Sequence, residues 1–213
     1  MNLQILGSNS RNENIINFLE VKHRVFITES AITLEDLNKN DIDFIISNGY
    51  APILKHPVTT EYINKIFNIH PAYLPQGRGI YPSFWSFFEG YPKGATIHYI
   101  DERIDTGAIL FREEIDYDKT ETLRTTNENL MQLAEKLFIE NAEDIFAGNV
   151  TPLEQKELCN PSFYHNRLMG EYFIELLPNG WDTTVGFVEK MGRDFFLSAN
   201  LIDRYLREIS DAE

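Results

Sequence analysis

The first hundred residues alternate between short apolar runs and amphipathic stretches, and this alternation limits the possible folds more than any other feature. The run Ile42–Ile46 is typical of a buried strand, whereas Ile15, Ile16 and Leu19 fall on one face of a helix. Strands that alternate with helices are joined by crossover connections, which place the strands side by side in one direction. The sequence therefore predicts an α/β protein with a mostly parallel sheet that is flanked by helices.

The expected elements can be placed along most of the chain. A long amphipathic helix should run from about Thr122 to Ala147, where Gly148 is well suited to end it. Strands are expected at Leu3–Leu6, Arg24–Ile27, Ile42–Ile46, Ile66–His70, Ala95–Ile100 and Ile109–Glu114.

The last part of the chain differs in composition and pattern, because prolines and loop-like segments become frequent there. We therefore divide the chain into a core of residues 1–149 and a C-terminal extension of residues 150–213. Tyr172–Leu177 and Val185–Glu189 are expected to form a β-hairpin, and a helix should follow from Asn200. The apolar side chains of Tyr172–Leu177 exceed what so short an extension can bury by itself, which predicts that the extension forms the interface of a homodimer.

The composition excludes several classes of protein. The formal net charge of −14 and the lack of any basic run argue against a nucleic-acid partner, because Lys and Arg supply most of the affinity for phosphate backbones. No apolar run approaches the roughly 20 residues that cross a bilayer, and the first residues lack a signal-peptide pattern. Cys159 is the single cysteine, so no intrachain disulfide can form. We expect a cytoplasmic protein that binds neither nucleic acid nor a membrane.

Common motifs for metals and nucleotide cofactors are missing as well. The sequence contains no Cys-x-x-Cys and no His-Glu-x-x-His, and Gly7 is the only glycine in the first turn after a strand. We therefore expect neither a metal nor a nicotinamide cofactor.

A polar pair is expected at the end of the fourth predicted strand. Asn68 and His70 are two residues apart, so their side chains lie on the same side of the strand, and Pro71 ends it. In a parallel sheet this end of a strand is where ligands bind. Asp105 lies in the turn after the next predicted strand and can approach His70 if the two strands are neighbours with adjoining tips.

These residue types fit acid–base or electrophilic catalysis. A carboxylate near a histidine raises its pKa and orients the ring, and an asparagine beside it can donate to an oxygen that gains negative charge. However, Asn-x-His by itself is a weak pattern, and Asp-Thr-Gly is an ordinary turn. Spacing alone indicates a polar site on an α/β protein.

Several short motifs follow one another within residues 68–110. They are Asn-Ile-His-Pro from Asn68, Leu74-Pro75, Arg78-Gly79, Gly-Ala-Thr-Ile-His from Gly94, and Asp-Thr-Gly from Asp105. This order resembles the core of the 10-formyltetrahydrofolate-dependent formyltransferases, which include glycinamide ribonucleotide, methionyl-tRNA and sugar N-formyltransferases. The resemblance implies a Rossmann-like sheet of the formyltransferase fold, a formyl-transferring enzyme, 10-formyltetrahydrofolate as co-substrate and no metal.

By the same resemblance, Asn68 and His70 are catalytic residues that stabilise the oxygen on which negative charge develops. Asp105, the third catalytic residue, positions and tunes His70, which we expect to act in its protonated form. His98 also occupies a motif position, but in the middle of a strand it is interpreted as a hydrogen-bonded core histidine.

The resemblance also implies where the two substrates bind. The folate co-substrate is expected to contact Asn48, Gly49, Tyr50, Ile100 and Thr106. Residues 76–94 most resemble sugar N-formyltransferases, and so does the tail motif Asn-Gly-Trp-Asp at 179–182. That likeness implies as acceptor a nucleotide-linked amino-deoxysugar, such as a dTDP- or UDP-linked 4-amino-4,6-dideoxyhexose, in surface-glycan biosynthesis. Its expected contacts are Gln76, Arg78, Gly79, Tyr81 and Trp85.

Other acceptors and activities stay open. Transfer to tRNA is disfavoured, because the extension is acidic and short for an RNA-binding domain. Another small amine, such as glycinamide ribonucleotide, is an alternative acceptor. Water as the acceptor would make the protein a formyltetrahydrofolate hydrolase, and a chain without turnover would be a nucleotide-sugar binding module.

Overall fold

The computed structural model describes residues 1–158 and 166–210, so that Cys159 lies outside the described residues. The strands are β1 Asn2–Leu6, β2 Arg24–Thr28, β3 Phe44–Ser47, β4 Ile66–His70, β5 Gly94–Tyr99 and β6 Ile109–Glu114. The α-helices are α1 Asn9–Glu20, α2 Leu34–Lys39, α3 Val58–Glu61, α4 Pro82–Phe88, α5 Leu123–Ala147, α6 Arg167–Glu175 and α7 Val185–Ser210. All six strands that were predicted within residues 1–149 are confirmed, with small differences at their ends.

Within the described residues, the strands form one six-stranded sheet in the order β2-β1-β3-β4-β5-β6. The first four are parallel, β5 runs antiparallel to β4, and β6 runs antiparallel to β5. The predicted α/β fold with a mostly parallel sheet flanked by helices is therefore confirmed. After β2 the chain crosses to the other side of β1, and the carboxyl ends of β1 and β3 border a crevice at this switch in direction.

One face of the sheet is apolar along its whole width and packs against α1 and α5. Burying a large aliphatic or aromatic side chain contributes about 1.5–3 kcal/mol, so this layer holds the strands in place. The principal contributors are Leu3, Ile5, Ile46, Phe67, Ile69, Ile97, Ile15, Leu19, Leu137 and Phe138. The predicted long helix is confirmed as α5, which Thr122 caps and Gly148 ends.

The C-terminal extension is helical, and the predicted β-hairpin is wrong. Tyr172–Leu177 falls largely in α6, while Val185–Glu189 is the first part of α7, which begins well before Asn200. Phe173 and Leu177 are four residues apart and both are buried, as helical spacing requires. A short apolar run fits either a strand or a helix, so the burial partners decide between them.

These two helices pack on α4 and complete its hydrophobic core. The cluster contains Phe84, Trp85, Phe87, Phe88, Phe173, Leu177, Val185 and Val188. Tyr172 and Leu176 remain exposed on the outer side of the extension. The division of the chain after residue 149 stays a prediction.

Among the helices of the described residues, none combines the length and the apolar content that crossing a bilayer requires.

Candidate active site

Four polar side chains lie on the sheet face opposite α5, at the junction of β4 and β5. Asn68 pairs with His98 and His70 pairs with Thr96 across this junction. Residues at even positions of both strands therefore point to the same face, while Phe67, Ile69 and Ile97 enter the core on the other face. The alternation of the two strands thus builds a polar platform on an otherwise apolar sheet.

Asp105 reaches this platform by a different route from the predicted one. Because β5 runs antiparallel to β4, its end at Tyr99 lies beside Phe67, and the two strand tips do not adjoin. Instead, the loop after β5 folds back over the sheet face. Its close approach requires a glycine at 107, since a Cβ there would lie 1.9 Å from the Tyr99 carbonyl oxygen.

The Asp105 carboxylate lies among three side chains of the platform. Its Oδ1 accepts from Asn68 Nδ2 at 3.4 Å and lies 3.6 Å from His98 Nε2. Its Oδ2 accepts from the Gly79 N–H at 2.8 Å and lies 3.8 Å from His70 Nε2. Asn68, His70 and Asp105 are therefore brought together, as their pattern predicted.

His98 belongs to this cluster as well as to the core. Its Nδ1 donates to the Tyr99 carbonyl at 2.8 Å, which leaves Nε2 facing Asn68 Nδ2 at 3.4 Å. Interpreting His98 as a core histidine was incomplete, because it is buried and also lines the cleft. The signal for its role was present in the sequence: in a strand beside Asn68 and His70, the alternation places His98 on their face.

His70 is held in a defined tautomer. A carbonyl can only accept, so Nε2 carries the hydrogen that bonds the Gly77 carbonyl at 2.9 Å, and the lone pair of the neutral ring lies on Nδ1. Burial lowers the pKa of His70 below its ordinary value, and the nearby Asp105 charge offsets only part of that effect. The neutral ring is therefore favoured at pH 7, in contrast to the expected protonated ring, and the form of His70 that acts in the reaction stays a prediction.

Asp105 is ionised. Burial by itself raises the pKa of its carboxyl, but His70, His98 and the Gly79 N–H outweigh burial and hold that pKa well below its usual range. The hydrogen bond from Gly79 supplies part of this stabilisation whatever the charge on the two rings. The site thus combines a fixed anion with a neutral His70.

A cleft of about 560 Å³ opens over this cluster, between the strand ends and α4. Of the predicted folate contacts, Gly49, Tyr50 and Ile100 line it, and of the predicted acceptor contacts Gly79 and Tyr81 do. Leu54, Ile104, Pro82 and Met131 add apolar surface.

The remaining predicted contacts do not line the cleft. Asn48 is buried, and its side chain accepts from Arg11 Nε at 3.1 Å and donates to Asn12. Thr106 donates to the carboxylate of Asp101, which lines the cleft, at 2.6 Å to Oδ1 and 2.8 Å to Oδ2. Gln76 is half-buried outside the cleft lining.

The other two predicted acceptor contacts, Trp85 and Arg78, also lie outside the cleft lining. Trp85 is packed in the core between α4 and the extension, because side chains of α6 and α7 cover this face of α4. The Arg78 guanidinium donates to Gln155 Oε1 from Nε at 3.2 Å and from Nη2 at 2.6 Å. The side chain is thereby directed toward the extension and away from the cleft.

Several cleft residues were missed by sequence reasoning. Within the described part of the chain, three arginines, Arg11, Arg103 and Arg167, line the cleft, together with Asn127 from α5. Arg11 lies in the first turn of α1, where the switch point of the sheet could have identified it. Arg167 and Asn127 come from helices distant in sequence, and no local motif marks them.

No group of three or more His, Cys, Asp or Glu side chains suited to a metal ion occurs within the described part of the chain.

Comparison with known proteins identifies a family. Residues 14–142 match the family model described as formyl transferase. The phosphoribosylglycinamide formyltransferase of Bacillus subtilis (strain 168) is 34% identical over 111 residues, which are 52% of this chain and 56% of that protein. The methionyl-tRNA formyltransferase of the same strain is 29% identical over 116 residues, 54% of this chain and 37% of that protein. The chain thus spans about half or less of these curated relatives.

Solved structures agree with this match and cover a larger part of this chain. The formyltransferase PseJ from Anoxybacillus kamchatkensis, in complex with UDP-4,6-dideoxy-4-formamido-L-AltNAc and tetrahydrofolate, is 36% identical with a TM-score of 0.82. The superposition covers 90% of this chain and 100% of that one. A 4-N formyltransferase from Francisella tularensis, 19% identical with a TM-score of 0.71 over 88% of this chain and 85% of that one, has the same fold. The family match and the fold together show that this chain belongs to the formyl transferase family.

Proposed function

We propose that this protein transfers a formyl group from 10-formyltetrahydrofolate to the amino group of a nucleotide-linked amino-deoxysugar, such as a dTDP- or UDP-linked 4-amino-4,6-dideoxyhexose. The reaction would serve surface-glycan biosynthesis in the cytoplasm. The observation that carries the proposal is the convergence of Asn68, His70, His98 and Asp105 at the floor of one cleft. The acceptor class is supported by the match to PseJ, which extends over 100% of that chain.

The cleft fits a folate co-substrate. A pterin needs backbone donors and acceptors along its edge and apolar contacts on its faces. The loop at Gly49 and Tyr50 supplies backbone at the cleft wall, and Leu54, Ile100 and Ile104 supply apolar surface. The co-substrate provides the activated formyl carbon when it is bound.

The side chains at the floor have complementary tasks. Asn68 Nδ2 makes two long contacts of 3.4 Å, so one of its hydrogens can turn to a substrate oxygen that gains negative charge. Neutral His70 has a lone pair on Nδ1 and can take a proton from the attacking amine, and this proton can pass to the folate nitrogen when its bond to the formyl carbon breaks. Asp105 stabilises the positive charge that His70 then acquires, because its carboxylate lies 3.8 Å from the ring.

Cations in the cleft suit a phosphorylated acceptor. Arg11, Arg103 and Arg167 line it, and guanidinium groups bind phosphate oxygens with charge-assisted hydrogen bonds. The same chemistry would suit glycinamide ribonucleotide, the acceptor class favoured by the 34% identity to the Bacillus subtilis purine enzyme. Glycinamide ribonucleotide is therefore the second candidate.

The decisive experiment compares several acceptors in parallel incubations. Protein and 10-formyltetrahydrofolate are incubated with dTDP- and UDP-linked amino-deoxysugars or with glycinamide ribonucleotide, and the products are weighed by mass spectrometry. A formyl mass gain on a nucleotide sugar is expected. A gain on glycinamide ribonucleotide alone would replace the acceptor class, and formate release that no amine accelerates would indicate the hydrolase.

We also propose that the enzyme is a homodimer and that residues 150–213 form its interface. Part of that extension is used internally, since Phe173 and Leu177 pack on α4. A row of apolar side chains on α6 and at its C-terminal end remains exposed, namely Leu168, Met169, Tyr172 and Leu176. These supply the surface on which two copies would meet.

A further inference from the structure

Gln155 is a buried polar residue whose hydrogen-bonding groups converge on the loops of the active site. It is only 3% exposed, although it lies in the extension and outside residues 14–142 that match the family model. Its side-chain nitrogen donates twice and its oxygen accepts twice. A buried amide with all its partners holds the surrounding backbone in one arrangement.

The nitrogen holds the loop that carries Asp105. Gln155 Nε2 donates to the Asp105 carbonyl at 3.0 Å and to the Gly107 carbonyl at 2.8 Å. Asp105 has a φ of 52°, in the left-handed region, which is uncommon for residues other than glycine although aspartate adopts it more often than most. These two hydrogen bonds are the contacts that favour this conformation from the extension side.

The oxygen holds the second loop that binds the carboxylate. Gln155 Oε1 accepts from Arg78 Nε at 3.2 Å and from Nη2 at 2.6 Å. The next residue, Gly79, donates its N–H to Asp105 Oδ2 at 2.8 Å. One side chain therefore connects the backbone beneath Asp105 to the segment that hydrogen-bonds its carboxylate.

Gln155 itself is fixed by backbone pairing. Leu153 and Ile109 exchange N–H···O hydrogen bonds of 2.8 Å in both directions, which attaches residues 150–158 to the start of β6. A short 3-10 turn at Gln155–Glu157 then directs the side chain inward. Gln155 and the four hydrogen bonds of its side chain, which we call the clamp, are thus part of the folded framework.

We propose that Gln155 is a positioning residue of the formyl transfer reaction, which holds Asp105 over His70 and Asn68 by joining the loops at 78–79 and 105–107. The inference rests on the proposed function for its effect on rate. Gln155 does not line the cleft, so it acts through Asp105 and touches no substrate.

The first test is Gln155→Ala, with the exposed Gln132→Ala as its matched control. Displacing a catalytic group by about 1 Å can lower a rate about 100-fold, so we expect kcat to fall by about that factor while KM for both substrates changes little. Asp105 raises the pKa of His70, and a displaced Asp105 should therefore shift the acid limb of the kcat profile to lower pH. Gln132→Ala should match the wild type. A normal kcat in Gln155→Ala overturns the proposal, as does a loss confined to KM.

A second variant separates the two halves of the clamp. Gln155→Glu keeps the length of the side chain and the acceptor for Arg78, but it replaces the donor to the two carbonyls with an acceptor. The side-chain volume is kept, so no cavity forms, and kcat should fall at least as far as in Gln155→Ala. Near-normal kcat in this variant would show that the Arg78 contact alone matters and would overturn the proposal.

An activity-independent readout distinguishes this proposal from the proposed function. The chain has five histidines, so the imidazole signals can be assigned and titrated by NMR. His70 should titrate at lower pH in Gln155→Ala than in the wild type, whatever reaction the protein catalyses. If the wild type transfers no formyl group but this shift occurs, the clamp stands and the reaction is wrong. An unchanged His70 titration in a folded Gln155→Ala protein overturns the clamp.

Discussion

At the residue scale, the chemistry depends on how a single carboxylate is surrounded. Asp105 accepts from Asn68 and from the Gly79 N–H, and it lies within 4 Å of two imidazoles. Burial of His70 outweighs the attraction of this anion and favours the neutral ring, which we propose takes a proton during the reaction. An ionised aspartate beside a neutral histidine is the arrangement that general base catalysis requires.

Asn68→Ala should lower kcat by about 100-fold or more, because a donor aimed at developing negative charge typically has an effect of that size. The strands should remain paired, since the side chain lies on the polar face and contributes nothing to the apolar core. Steady-state kinetics and circular dichroism measure the two effects. Exposed Asn38→Ala is the control, and a folded Asn68→Ala protein with wild-type kcat would remove Asn68 from the mechanism.

Asp105→Asn should reduce the rate and shift its pH dependence. Removing the charge takes away the influence that raises the pKa of His70, so this pKa falls further below its ordinary value. If the neutral ring is the active form, the acid limb of the kcat profile moves to lower pH and acidification brings no recovery. The profile is compared with that of exposed Asp118→Asn. Recovery of the Asp105→Asn rate at acid pH would instead support a protonated His70.

At the scale of elements, the close packing of α7 on α4 joins the extension to the core. Gly192 is the contact point, since a Cβ at this position would lie 1.7 Å from the Phe88 carbonyl oxygen. Beside it, the aromatic cluster of α4, α6 and α7 fills the space between the helices. The tight approach and the cluster depend on each other, because the rings meet only when the helices lie close together.

Gly192→Ala tests this contact, because the sign of the change in the free energy of unfolding shows whether the two helices can separate. Helix propensity alone would stabilise an alanine by roughly 0.5–1 kcal/mol relative to glycine. Forcing a methyl group into a filled interface typically costs about 1–3 kcal/mol, so a net decrease in the free energy of unfolding is expected. Urea denaturation measures it, with the exposed Lys190→Ala on the same helix as control. A more stable Gly192→Ala protein would show that the helices separate easily.

At the scale of the whole molecule, we propose that the exposed apolar row on α6 and at its C-terminal end forms the dimer interface. Leu168 is 79% exposed and Tyr172 is 61% exposed, which is costly for a monomer. Light scattering at micromolar concentration should report a dimer, and Leu168→Asp with Tyr172→Asp should convert it to a monomer. Ile63→Lys, at an equally exposed apolar position on the core, should leave the dimer intact. A monomeric wild type would contradict the proposed interface.

Much of the fold followed from local patterns. The strands were located because alternation and short apolar runs reflect which side chains face the core, and this property belongs to each segment separately. The pairing of Asn68 with His70 was accessible for the same reason, since residues two apart share a face. The helices of the extension could not be predicted in this way, because Phe173 and Leu177 fit a strand as well as a helix until α4 is placed against them.

The site itself depends on contacts between segments that no local pattern connects. Asp105 was identified by its motif, but its path to His70 follows from the antiparallel direction of β5. Trp85 was assigned to the acceptor and lies in the core, because the extension covers its face of α4. Gln155 carries no local signal, since its role arises from two loops far away in sequence. Local patterns reflect the environment of each residue along its own strand or helix, whereas the direction of strands and the packing of distant loops arise only when the chain has folded.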